Sequence, residues 1–316
     1  MRIIDAHVHL YPPEVGVDPA GWAAVHGELH WSKLCTRRRR DGRPVQTFPT
    51  VDQLLHEMDS AQVDVAVLMA WYWENPASCA LQNRFFEECR NAHPDRLAAF
   101  AAIDPTAGES AVRDEIKRAR DAGFCGLGEL SPHSQQVGLD EPGLSAALEL
   151  AGEFGLPVNL HVTDPQGSNY PGRVETPLKD FRRLARAYPK TTFILAHWGG
   201  GLLLQETDAA IRSDLANVVY DTAASPLVSD DRIWRAALDA LPAEKVLFGS
   251  DYPLVLYPKT ETEPGWRGIL AEIERAGLGA AEKAQILGGN AARLLGLKVG
   301  RSTGTIVAGD KRPVRE

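Results

Sequence analysis

The first ten residues, MRIIDAHVHL, set His7 and His9 one position apart directly after an apolar run. A strand alternates its side chains between two faces, so both imidazoles project from one face while Ala6 and Val8 project from the other. Two imidazoles on one face are half of a metal site. Polar residues of matching type stand at the ends of later apolar runs: Glu129 in FCGLGEL, His161 in PVNLHV, His197 in TFILAH and Asp251 in KVLFGSD. Imidazoles and carboxylates together are donors for Zn²⁺ and similar divalent ions, with Mn²⁺ among them. Such an ion activates water near neutral pH and polarises a carbonyl, while a neighbouring carboxylate or imidazole moves the proton. A lone strand-end histidine is more often a structural hydrogen-bonding group. Four of nine histidines gathered at such ends are a site.

These residues converge only if the strands that carry them lie side by side. Strands are expected at 3–9, 63–70, 97–103, 124–130, 157–162, 192–197, 217–222 and 245–251, each short, rich in Val, Ile, Leu and Ala, and bounded by Gly, Pro, Asp or Asn. Amphipathic stretches such as TVDQLLHEMDSA and TPLKDFRRLARAYP lie between them. Eight strands alternating with helices predict a single (β/α)8 TIM barrel over 1–297. A doubly wound open sheet is the alternative, but no GxGxxG follows the first strand. The long insertions follow the first, second, fifth and eighth strands, and in a barrel all lie on the face where active sites form. Residues 298–316 read as a polar C-terminal tail, and no flanking β-sandwich domain is expected.

The chain has 316 residues, 44% of them hydrophobic and 24% charged, and a formal charge of -8. That balance argues against general affinity for nucleic acid or anionic membranes and leaves a small-molecule substrate as the expected partner. The four cysteines (Cys35, Cys79, Cys89 and Cys125) show neither CxxC pairing nor zinc-site spacing, so a reduced, cytoplasmic protein is expected.

Two loops are candidate pocket walls. TRRRRDGR in the first insertion carries Arg37, Arg38, Arg39 and Arg40, which either face solvent as a basic loop or fork onto a substrate carboxylate. WYWENP after the second strand carries Trp71 and Trp73, which either pack the barrel top or line a pocket for a planar acid.

The stretches DAHVHL, WYWENP, GLGEL, AHWGG, LFGSDYP and ILGGNAARLLGL together resemble the amidohydrolase superfamily. More narrowly they are similar to its amidohydrolase-related branch, which includes aminocarboxymuconate semialdehyde decarboxylase. The resemblance implies that His7, His9, His161 and Asp251 ligate a metal, with His197 left as acid/base or electrostatic catalyst. Glu129 opens a second arrangement, in which it bridges two ions and His197 binds the second; one ion is the preferred expectation. The expected activity is hydrolysis of a small carboxylated lactone, ester or amide by metal-activated water, with Asp251 accepting its proton. The alternative is metal-dependent decarboxylation of an aromatic-derived or muconate-type acid, and a non-catalytic binding barrel is the third reading. A homodimer or larger assembly is in keeping with the resemblance.

Overall fold

The computed structural model describes residues 2–297; the tail expected at 298–316 lies outside the described residues. Eight parallel strands run in chain order around one sheet: β1 (Ile4–Val8), β2 (Val65–Leu68), β3 (Leu97–Ala101), β4 (Gly126–Leu130), β5 (Val158–Leu160), β6 (Phe193–Leu195), β7 (Val218–Asp221) and β8 (Val246–Leu247). All eight fall inside the expected segments. Nearly every strand residue is buried, as expected of strands covered by helices on the outside and packed side chains within.

The seam between the first and last strands closes past the end of β8. Ala6 N–H donates to the Phe248 carbonyl, Asp251 N–H to His7, and His9 N–H to Tyr252. This seam brings Asp251 beside the two histidines of β1, although they are separated by nearly the whole described chain. Gly249 lies so close to β1 that a Cβ there would meet the His7 Cβ at 2.8 Å, which leaves glycine as the residue that fits.

Two layers of apolar packing hold the ring. A smaller cluster joins Ile4, Val67, Met69, Phe100, Ile194 and Leu247, drawn from strands on opposite sides of the ring, and is therefore the barrel's filling. A larger one packs the outer strand faces and the βα loops against the helices, including Leu54, Met58, Phe86, Ile116, Leu144, Phe181 and Ile269. The strand register breaks between Asp5 and Val8. Below that irregularity Asp5 is held by Ser250 and the Trp266 indole; above it His7 and His9 turn into the site.

One helix of the barrel starts at a full side-chain cap. The helix Val51–Ala61 carries a capping box, in which Thr50 accepts from Gln53 N–H while Gln53 accepts from Thr50 N–H. Among the described residues no helix is long and apolar enough to cross a membrane. Three of the cysteines are buried, Cys125 is partly so, and none is in a disulfide.

Candidate active site

Each strand-end candidate reaches one floor at the C-terminal end of the barrel. His7 and His9 place their Nε2 atoms 3.2 Å apart. His7 Nδ1–H donates to Asp221 Oδ2 at 2.9 Å and His9 Nδ1–H to the Met69 carbonyl at 3.0 Å, so both rings keep Nε2 for the floor. Asp251 Oδ1 lies 3.3 Å from His9 Nε2. His161 Nδ1–H donates to Glu129 Oε1 at 2.9 Å, and His197 Nδ1–H donates to the Ala223 carbonyl at 3.0 Å.

The candidate donor atoms fall into two groups. His7, His9 and Asp251 place donor atoms within 4.8 Å of one another, and Glu129, His161 and His197 form a second such group. His161 thus sits with Glu129 and His197 rather than with the other three expected ligands. Glu129 spans the two groups: Oε2 faces His9 Nε2 at 3.8 Å, while Oε1 faces His197 Nε2 at 3.6 Å.

A seventh residue organises the floor, and the sequence reading missed it. Asp221, at the end of β7, is fully buried. Its Oδ2 accepts from His7 Nδ1 and Asn159 Nδ2, and its Oδ1 accepts from the backbone N–H groups of His197 and Ala223. One carboxylate therefore fixes both a β1 histidine and the start of the β6 turn. That turn is left-handed from His197 through Gly201, and Asp251 is also left-handed, at φ 68°. Non-glycine residues persist there only because neighbours over-determine them, a condition common at functional sites.

Charge explains why this floor suits a cation. Burial pushes the His7 imidazole down, but Asp221, Glu129 and Asp251 raise it to about 10. Burial likewise opposes the charged form of His197, yet the neighbouring carboxylates of Glu129 and Asp251 bring it to about 9. Burial raises Glu129, and His161, His197 and His7 more than reverse it, holding the carboxyl well below its ordinary range. The buried carboxylates thus favour positive charge on the floor, which protonated imidazoles or a divalent ion can supply. Together with an imidazole–carboxylate donor set whose ring nitrogens are already oriented, this fits a metal such as zinc or manganese.

Above the floor is a cavity of about 290 Å³, lined by His9, Glu129, His161, His197 and Asp251 below and by loop residues above. Trp71 and Tyr72 form one wall, stacked with centroids 4.4 Å apart, and Trp71 also stands edge-on to His9. Trp73, expected beside them, does not line this cavity. Its indole donates to Gln82 and packs among Tyr11, Trp22 and Trp31, because Gln82 also accepts from Trp71 N–H and pins the turn. The arginine run divides as well: Arg37 and Arg39 line the cavity, whereas Arg38 and Arg40 are exposed. An antiparallel bridge between Arg38 and Pro44 extends the backbone here, so alternate side chains face opposite ways. Trp198, beside His197, is core: its indole donates to Ser225 Oγ and packs edge-on against Trp234.

Comparison with known proteins agrees with this arrangement. The profile of a family described as Amidohydrolase matches residues 4–297. The 5-carboxyvanillate decarboxylase of Sphingomonas paucimobilis is 19% identical, with a TM-score of 0.72 over 94% of this chain and 99% of that one. The 5-carboxyvanillate decarboxylase of Novosphingobium aromaticivorans, complexed with manganese and 4-hydroxy-3-methoxy-5-nitrobenzoic acid, is 16% identical, with a TM-score of 0.68 over 94% and 96%. A probable 2-pyrone-4,6-dicarboxylic acid hydrolase of Acinetobacter baumannii with citric acid bound is 14% identical, with a TM-score of 0.62 over 94% and 100%. At these identities the likeness to each structure is one of fold.

Proposed function

The chain belongs to the amidohydrolase family, and from that premise we propose that it is a metal-dependent carboxy-lyase acting on a planar, aromatic-derived or muconate-type acid. The observation that carries this reading is the build of the cavity. An imidazole–carboxylate floor that could hold a cation lies beneath the flat rings of Trp71 and Tyr72, with the guanidinium groups of Arg37 and Arg39 on the lining. Such a cavity takes a flat anion. The decarboxylase activities of two similar structures support the same reaction class.

His7, His9 and Asp251 would hold a single divalent ion, zinc or manganese, which would supply Lewis acidity toward the substrate carboxylate. The chain's own residues do the rest. Trp71 and Tyr72 hold the plane of the substrate, and the tight packing around them keeps water away from its ring. His197 is fixed through Nδ1 by the Ala223 carbonyl, and its Nε2 faces Glu129 Oε1. It gives its proton to the ring carbon as the carbon–carbon bond breaks, the electron pair of that bond takes up the proton, and CO₂ leaves. The test is CO₂ release from hydroxylated benzoates and muconate-type acids by protein loaded with Mn²⁺ or Zn²⁺. Chelator-sensitive release is expected; no release from any of these acids overturns the reading.

Hydrolysis is the second reading, and Glu129 favours it: a buried carboxylate on the floor can take the proton of an attacking water. The similar pyrone dicarboxylic acid hydrolase supports that class. Incorporation of ¹⁸O from water into a lactone or ester product would establish it. Metal analysis returning two tightly bound equivalents would instead make Glu129 and His197 ligands of a second ion.

A further inference from the structure

One buried amide, outside the cavity lining, holds the aromatic wall. Gln82 lies on the helix Pro76–Ala92 that follows β2 and is fully buried. Its Oε1 accepts from Trp71 N–H at 2.9 Å and from the Trp73 indole, and its Nε2 donates to the Leu10 carbonyl at 3.1 Å. A carboxamide oxygen has two lone pairs and its nitrogen two protons, so one side chain satisfies three buried groups from two loops. Leu10 follows His9 directly, whereas Trp71 and Trp73 flank the cavity residue Tyr72. The amide thus ties the end of β1 to the turn that carries the wall.

That turn touches both halves of the floor. The Met69 carbonyl accepts from His9 Nδ1–H, and Ala70 pairs through its backbone with Gly128 and Glu129. Trp71 stands edge-on to His9 with centroids 5.3 Å apart, and Tyr72, stacked on Trp71, lies 5.4 Å from the His161 ring. Strand pairing fixes the chain as far as Ala70; at Trp71 the backbone N–H turns to Gln82 instead. The neighbouring Asn83 makes the contrast. It is equally buried, but its amide is spent on the Ala102 backbone and on Glu115, neither of which lines the cavity.

We propose that Gln82 is a positioning residue for substrate choice: by holding Trp71 N–H it sets the plane of the Trp71–Tyr72 pair, and so the preference of the cavity for flat acids over puckered ones. Gln82 does not line the cavity and acts through Trp71. A methionine of similar length fills the same space but leaves Trp71 N–H, the Trp73 indole and the Leu10 carbonyl unpaired in a buried place, and the turn shifts to recover partners. This rests on the reading of the cavity as a site for a planar acid.

The probes are benzoate and cyclohexanecarboxylate, equal in charge and near in size, titrated calorimetrically into Mn²⁺-loaded protein. The native chain is expected to prefer benzoate by about three- to tenfold, the range of an aromatic stacking contact. Gln82→Met is expected to erase that preference with manganese content unchanged, because His9 keeps its Met69 partner. Gln82→Glu retains both acceptor bonds and keeps most of the preference, which covers the case of a Met variant that does not fold. Asn83→Leu removes a buried amide from the same helix and keeps the full preference, so lost stability is separated from positioning. In a double-mutant cycle, Gln82→Met adds nothing to the loss of benzoate affinity caused by Trp71→Ala. A preference that survives Gln82→Met, an equal loss in Asn83→Leu, or losses of benzoate affinity that add in the double variant would each overturn the positioning role while the planar-acid reading stands. Equal binding of the two acids by the native chain would overturn the planar-acid reading, and the role of Gln82 with it.

Discussion

The floor and the wall of the cavity are built on opposite principles. On the floor every imidazole is held by a named partner: His7 by Asp221, His9 by Met69, His161 by Glu129 and His197 by Ala223. On the wall, the Arg37 guanidinium lies over the Tyr170 ring and has no ion pair among the described residues. Strand ends are rigid, so the floor can be fully oriented before a ligand arrives. Loops carry recognition on top of that scaffold, and their unpaired groups are completed by the ligand itself. The difference teaches that the strand ends carry side chains already oriented by their neighbours, while the loop after β1 supplies part of the cavity lining.

The comparison breaks hardest at His9. His9→Ala removes a donor of the buried trio, and retained metal and turnover are both expected to fall by more than about a hundredfold, beyond the range seen for outer partners. Metal analysis together with a CO₂ assay checks this; a variant that keeps its metal would remove His9 from the ligand set. Asp221→Asn should weaken metal affinity by about ten- to a hundredfold while leaving the fold intact, because it disturbs orientation rather than ligation. Competition with a chelator measures that difference, and an unchanged affinity would reduce Asp221 to a backbone cap.

Metal removal gives the next effect in size. At a free ion concentration about a hundred times Kd, binding stabilises the fold by about 2.7 kcal/mol. For a chain of this size that is a melting shift of about 4 °C. His9→Ala should show little of this shift, so the pair of melting curves separates ion binding from other effects of the chelator. The smallest effect is on the wall. Arg40→Ala should change KM for any substrate by less than about twofold, since its side chain is exposed and outside the cavity lining. A large change there would mean that alternation along residues 37–40 does not select the substrate-facing arginines.

Much of this was legible in advance because it is local. The eight strands follow from runs of branched apolar residues between Gly, Pro and Asp, and the histidines at their ends follow from the same runs. Trp73 and Asp221 were not legible, for related reasons. In WYWENP nothing marks which ring turns inward; Gln82, on the following helix, decides it by taking the Trp73 indole. In NVVYDT, Asp221 looks like any strand-end acid, and its partner His7 lies 214 residues away. The four arginines looked equivalent until the bridge between Arg38 and Pro44 sorted them.

The sequence by itself determined the alternation of strands and helices, the identities of the floor residues and the face from which each projects, since side-chain periodicity is a property of the local backbone. Tertiary structure alone decided that β1 and the end of β8 meet, that His161 groups with Glu129 rather than with His7, and that Arg37 and Arg39 rather than Arg38 and Arg40 line the cavity. Those outcomes depend on ring closure and on loops stitched across long stretches of chain. No local pattern encodes them, because they are settled by which distant groups satisfy one another once the core has packed.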